Sequence, residues 1–178
     1  MKVRRVVTGH DRDGTAVFTS DEQVDPLTLA LIPGAEFHRL WGADQAPTFP
    51  DDGCPTAQPT YFPPVGGYRF ALFSVPPGTV SVPADLDLQA GLAEMEHKLP
   101  GLLAHMEPDN PGMHTTDTID FEVVLSGEVI LELDDEVEKV LRPGDTVVQN
   151  GTRHRWRNRG TEPAVLAVFL IGAHRAGT

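Results

Sequence analysis

The chain has 178 residues, enough for one domain with a sound core or for one domain with an N-terminal extension. Its 26 Asp and Glu against 14 Lys and Arg give a formal net charge of −12, which disfavours nucleic acid and anionic membrane surfaces as partners. Cys54 is the single cysteine, so neither an intrachain disulfide nor a thiolate metal cluster can form.

The opening MKVRRVVTGHDRDG carries charge without the apolar run of a signal peptide, and no stretch approaches bilayer-spanning length. The expectation is a soluble, cytoplasmic protein. Dense punctuation by 17 Gly and 16 Pro separates short runs of Val, Ile, Leu and Phe, a pattern of sandwich or barrel strands. Val3–Val7 and Ala16–Thr19 flank the turn-like HDRDG and predict a hairpin. Glu36–Trp41 is a further strand. Ala43 to Gly67, rich in Pro, Asp and Gly, reads as a long ordered loop, which covering a pocket or a dimer partner would explain. Strand character resumes over Tyr68–Val75.

Asp87 to His97 predicts a helix on the spacing of Leu88, Leu92 and Met95, stopped by Pro100 and Gly101. From Ile119, FEVVLSGEVILELDD holds two strands around Ser126-Gly127. Pro143-Gly144 suits the centre of a type II turn. Strands follow at Thr146–Gln149, Arg153–Asn158 and Ala164–Ile171.

Successive side chains of a strand point to opposite faces. His154, Trp156 and Asn158 therefore share one face, and Arg153, Arg155, Arg157 and Arg159 share the other. The arginine row must be solvated or paired, with Glu128, Glu132 and Asp134 opposite it, so His154 and Trp156 face inward. By the same rule Asp120, Glu122, Val124 and Ser126 lie opposite Ile119, Phe121, Val123 and Leu125.

PGMHTTDTIDFEVVLSGE, followed by PGDTVVQNGTRHRWRN, resembles the two motifs of the cupin superfamily over roughly the last third of the chain. His114 matches the first histidine of the first motif, Asp120 stands where the family has a glutamate, and Gly127 closes that motif. Thr116 stands at the second histidine's place. Gly144, His154 and Asn158 match the second motif. The resemblance implies an all-β jelly-roll barrel (a double-stranded β-helix) with an N-terminal strand extension and one short helix. Residues 111–173 would form the motif region and residues 1–110 would complete or pack on the barrel, as one structural domain.

It also implies one divalent metal (Fe, Mn, Zn or Ni) held by His114, Asp120 and His154, a facial set that leaves positions open for substrate. Two acidic groups on an apolar inner wall are costly unless a cation or hydrogen bonds compensate. Glu122 would be a fourth ligand or a proton-transferring catalytic base, with Thr116, Trp156 and Asn158 shaping the substrate pocket. Read without the resemblance, His114 is a loop histidine, Asp120 a rim residue, His154 a satisfied core residue and Glu122 an arginine-paired carboxylate. The functional expectation is a metal-dependent enzyme acting on a small oxygenated organic molecule, as a dioxygenase, isomerase or lyase. The alternative is a non-catalytic small-molecule binder or sensor. A homodimer is expected from the resemblance, with the hairpin and long loops wrapping a neighbouring barrel edge.

Overall fold

The computed structural model describes residues 1–176. Eleven strands and one helix run in the order β1 Val3–His10, β2 Ala16–Val24, β3 Leu27–Leu29, β4 Ile32–Ala43, β5 Tyr68–Val75, α1 Leu88–Lys98, β6 Thr118–Ser126, β7 Val129–Glu132, β8 Glu138–Leu141, β9 Thr146–Asn150, β10 Arg155–Arg157 and β11 Ala164–Gly172. The predicted strands are all present, mostly longer than the apolar runs that announced them.

A six-stranded antiparallel sheet in the order β3-β4-β5-β11-β6-β9 faces a three-stranded sheet, β10-β7-β8. Val124, Val129, Ala164 and Leu166 are buried between them, with Phe73 and Trp156 against the same core. The large sheet interleaves strands from both parts of the chain, since β5 and β6 flank β11. The ladders do not close into one continuous barrel; side-chain packing and the isolated bridge His114↔His154 join them. No helix of the described residues is long and apolar enough to cross a membrane.

Asp87 caps α1, its Oδ1 accepting from the amides of Gln89 and Ala90 at 2.9 and 3.1 Å. The buried stripe of α1 differs from the predicted one. Met95 is buried as predicted, but Leu88 is 58% exposed, and Gly91 and Leu99 share the inward side with Met95. The cause is the close approach of Leu31, whose Cγ lies 2.8 Å from where a Cβ at Gly91 would sit. Through Met95, Leu99 and Leu102 the helix closes one end of the sandwich over Leu29.

The β1–β2 hairpin forms its own two-stranded sheet and packs Val3 and Val24 on Leu40, Leu72 and Ala167 of the same chain. The segment 44–67 is tied down along its length. Thr56 Oγ1 donates to Gly42 O at 2.6 Å, Arg39 Nη2 donates to Gln58 O at 2.9 Å, and buried Arg69 pairs with Asp44 at 2.6 Å. At its end Gly66 N donates to Gly172 O at 3.0 Å, and Gly172 N donates to Gly67 O at 2.9 Å. A Cβ at Gly172 would fall 1.8 Å from the Pro64 carbonyl oxygen, so only glycine fits there.

Alternation places Asp120, Glu122 and Val124 inward, and Phe121 and Leu125 outward, as predicted. Ser126 departs from it and is exposed, because the β6–β11 register shifts beside it between Val165 and Leu166. The arginine row is paired. Arg155 and Arg157 hold Glu132 at 2.5 and 2.8 Å, Arg153 grips Glu107 and Asp134, and Arg159 reaches Glu138. Glu128 lies apart from the row and pairs with Arg142.

Hydrogen bonds from Arg155 and Arg157 hold the buried Glu132 carboxyl below the usual carboxylate range. A depressed folded-state pKa gives stability that is present above the unfolded value near 4.5 and is lost as pH falls through the lower, folded one. Glu132→Gln should lower the unfolding free energy by about 1–3 kcal/mol at neutral pH, and urea melts should show the difference shrinking below pH 4.5.

Candidate functional site

His114 precedes β6 and His154 precedes β10. Their backbones form a reciprocal pair, His114 N donating to His154 O at 2.9 Å and His154 N to His114 O at 3.0 Å. The two rings therefore lie side by side, with centroids 4.2 Å apart. The Nδ1 of His114 is 3.0 Å from Gly112 O, and that of His154 is 3.0 Å from Thr152 O. A carbonyl oxygen can only accept, so each Nδ1 carries the proton and each neutral ring keeps its Nε2 lone pair free.

Asp120 and Glu122, two residues apart on β6, reach the same cavity of about 210 Å³. Phe37, Tyr61, Phe62, Phe73 and Trp156 form much of its wall, and no Lys or Arg lines it. Asp120 Oδ1 and Glu122 Oε2 are buried without a hydrogen-bond partner. Burial raises the Asp120 carboxyl to about 6 against the hydrogen bond from Thr118. Burial, reinforced by the charge of Asp120, raises Glu122 to about 8. Burial lowers His114, and burial with the neighbouring His114 ring takes His154 to about 4. All four groups are thus driven toward their neutral forms, as expected where solvation is lost and no counter-charge replaces it.

Five of the predicted site residues meet here: His114, Asp120, Glu122, His154 and Trp156. Two do not line the cavity. Thr116 is buried behind it, its Oγ1 2.8 Å from the Oγ1 of Thr118, which in turn hydrogen bonds Asp120. Asn158 is spent on the chain itself. Its Nδ2 donates to Val75 O and Glu162 O at 2.9 and 2.8 Å, and its Oδ1 accepts from Gly160 N at 2.7 Å. Strand alternation alone had put it beside Trp156, but β10 ends at Arg157 and the turn claims its amide.

Sequence reasoning did not single out Tyr61 or Thr118. Tyr61 comes from the Pro-rich segment, stacked edge-on with Phe62 and Phe37. Burial raises its phenol, with the Asp120 and Glu122 charges adding to the rise and Arg39 opposing it. The adjacent aromatics Tyr61-Phe62 inside an otherwise polar, Pro-rich stretch were the available signal.

The donor chemistry suits a first-row divalent ion: two imidazoles with free Nε2 atoms and two carboxyls with unsatisfied oxygens. The arrangement is two pairs, however. Among the described residues no group of three or more His, Cys, Asp or Glu side chains is placed to hold a metal ion.

Fold and cavity together define a small jelly-roll protein with one buried, titratable interior site. The family profile of the cupin domain matches residues 102–171. The phomopsin biosynthesis cluster protein C' of Diaporthe leptostromiformis is 32% identical over 157 residues, 87% of this chain and 70% of that protein. The cupin-domain-containing oxidoreductase srdB of Neurospora crassa is 24% identical over 172 residues, 94% of this chain and 71% of that protein. The cupin domain of Schizosaccharomyces pombe Cnp3 superposes with a TM-score of 0.49 at 9% identity, over 97% of this chain and 89% of that one. The chain belongs to the cupin family.

Asn158→Ala should lower the unfolding free energy by roughly 1–3 kcal/mol through its three lost hydrogen bonds. It should leave the cavity intact, so that denaturant melts shift while the fluorescence of the folded protein, from Trp41 and Trp156 together, does not.

Proposed function

We propose that the cavity is the active site of a metal-dependent oxidoreductase acting on a small, uncharged, largely apolar organic molecule. The observation that carries this reading is the pair of buried carboxyl oxygens, on Asp120 and Glu122, left without partners in the same cavity as two imidazoles with free Nε2 atoms. Leaving such groups unsatisfied costs on the order of 1–3 kcal/mol each, a cost that a cation or a bound ligand removes. The aromatic wall, with neither Lys nor Arg, favours a neutral substrate over a phosphate or carboxylate. The similarity to proteins named oxidoreductases favours redox chemistry over isomerase or lyase chemistry.

His114 and His154 would hold the ion through Nε2, and Asp120 would have to turn toward them to complete the set, since the three are not placed to hold an ion together. When bound, the ion supplies Lewis acidity or redox capacity next to the substrate. Glu122 gives a proton to the substrate, or takes one from it, through Oε2, the oxygen without a protein partner. Trp156 and Tyr61 hold the substrate between apolar surfaces. Thr118, backed by Thr116, orients the Asp120 carboxyl.

A second reading is a non-catalytic binder using the same cavity. Thr116, at the place of a family histidine, and the two-by-two arrangement of donors favour it.

Metal analysis of the purified protein, alone and after anaerobic loading with Fe(II), Mn(II), Zn(II) or Ni(II), separates these readings. About one equivalent of metal is expected, with most of it lost in His154→Ala. Glu122→Gln should keep the metal. On a panel of neutral aromatic and aliphatic molecules followed with an oxygen electrode, it should lower turnover by roughly 10²–10⁴-fold. Metal content unchanged in His154→Ala places the ion elsewhere, and tight ligand binding without turnover in the loaded protein establishes the binder.

A further inference from the structure

Behind the aromatic wall lies a second, far smaller cavity of about 10 Å³, and its polar chemistry is the reverse of the first. Tyr61 and Leu170 line both spaces. The first cavity has two carboxyls and neither Lys nor Arg. The second is lined by Arg39 of β4, Arg69 of β5 and Gln58 of the Pro-rich segment, and by no carboxyl; the rest of its lining is Phe70, Ala71 and the two shared residues.

Arg69 is 3% exposed, and most of its guanidinium is spent on the chain. Nη1 donates to Ala43 O and Tyr68 O at 3.0 and 2.9 Å, and Nη2 donates to Asp44 Oδ1 and Thr60 O at 2.6 and 3.2 Å. Its Nε is buried without a partner. Arg39 is half-buried and is bonded only through Nη2, to Gln58 O at 2.9 Å and weakly to Gln58 Oε1 at 3.4 Å. No carboxylate among the described residues pairs with it. The Gln58 side-chain nitrogen makes one long contact, 3.4 Å to Gly42 O, and keeps donor capacity.

Two guanidiniums are thus set against one carboxylate, that of Asp44, and a positive charge is left over. Burial, and after it the charge of Arg69, makes Arg39 a less comfortable cation. A carboxyl in such a place escapes by turning neutral, as Asp120 and Glu122 are driven to do, but a guanidinium keeps its proton. We infer that the small cavity is an anion site, taking one halide ion (chloride under physiological conditions) against Arg69 Nε, Arg39 and the Gln58 amide, and that the ion braces the segment carrying Tyr61. The space is about that of one water molecule, which leaves no room for sulfate, phosphate or a carboxylate. A water there would accept from Arg69 Nε but leave the surplus charge in place. An anion answers both, through hydrogen bonds roughly twice as strong as neutral ones. The bracing follows from the same contacts: Arg39 and Arg69 hold Gln58 O and Thr60 O, and Tyr61 is the next residue.

Bromide is the probe, because its anomalous scattering marks its position. Crystals grown in sodium bromide should show an anomalous peak in contact with Arg69 Nε and facing Arg39. In solution, deuterium uptake across residues 56–62 should fall severalfold when bromide replaces gluconate, too large for the site, at constant ionic strength. Arg39→Gln removes the surplus charge and should lose both the peak and the bromide dependence. If that variant does not fold, the two wild-type measurements decide alone. A water without anomalous signal at the position overturns the inference, as do bromide peaks confined to the surface, which are adventitious ions only. Equal uptake in the two salts overturns it too, and so does a bromide effect that survives in folded Arg39→Gln.

Discussion

The constraint on which this structure turns is the direction of alternation along β6. Its inward positions are Thr118, Asp120, Glu122 and Val124, and its outward ones Ile119, Phe121, Val123 and Leu125. A strand with period two cannot change one face without keeping the other in register. In β6 the register that places two carboxyls in the interior also turns an apolar row outward. Each side then lacks something that the polypeptide itself does not supply. The interior leaves Asp120 Oδ1 and Glu122 Oε2 without a partner, and the exterior leaves Phe121 and Leu125 44 and 47% exposed.

Carboxyls elsewhere in the same sandwich show what compensation looks like. Glu132 is as buried as Asp120 and Glu122, yet two guanidiniums satisfy it and hold it ionised. Asp120 and Glu122 have an aromatic wall and each other, and both are pushed toward the protonated form. The contrast separates a carboxylate that the fold itself pairs from carboxyls that it leaves with an unpartnered oxygen each. The imidazoles follow the same division. Their Nδ1 atoms are spent on backbone carbonyls, which fixes ring orientation and tautomer, while the Nε2 atoms have no such assignment.

Much of this was legible in the sequence because period-two alternation is a local signal. It placed His154 and Trp156 inward, Asp120 and Glu122 on one wall, and the arginine row on a paired outer face. Two kinds of feature were not local. Asn158 obeys a turn that ends β10 early, and its hydrogen-bond partners at Val75 and Glu162 are set by the turn and by distant β5. Leu88 satisfied helical spacing, but the approach of Leu31 to Gly91 rotated the buried stripe away from it. The roof of the cavity was hidden for a similar reason. Tyr61 and Phe62 lie in an irregular segment held by Arg39 and Arg69 on the strands that flank it, contacts that no period along the segment itself announces. The match to a family motif identified Thr116 as the odd residue without showing that it stands behind the wall, one hydroxyl removed from Asp120.

The glycine clamp at the end of β11 bears on how firmly the aromatic wall of the cavity is held. Pro64 sits so close to Gly172 that the segment carrying Tyr61 and Phe62 is anchored to the sheet at its downstream end, while Arg39 and Arg69 pin it upstream. That side of the cavity is a fixed wall. Leu102 and Met106, which also line the cavity, pack in the same apolar cluster as Tyr61 and Phe62, so wall and connection are held as one piece. A larger residue at Gly172 would therefore disturb the aromatic wall of the cavity without itself lining it.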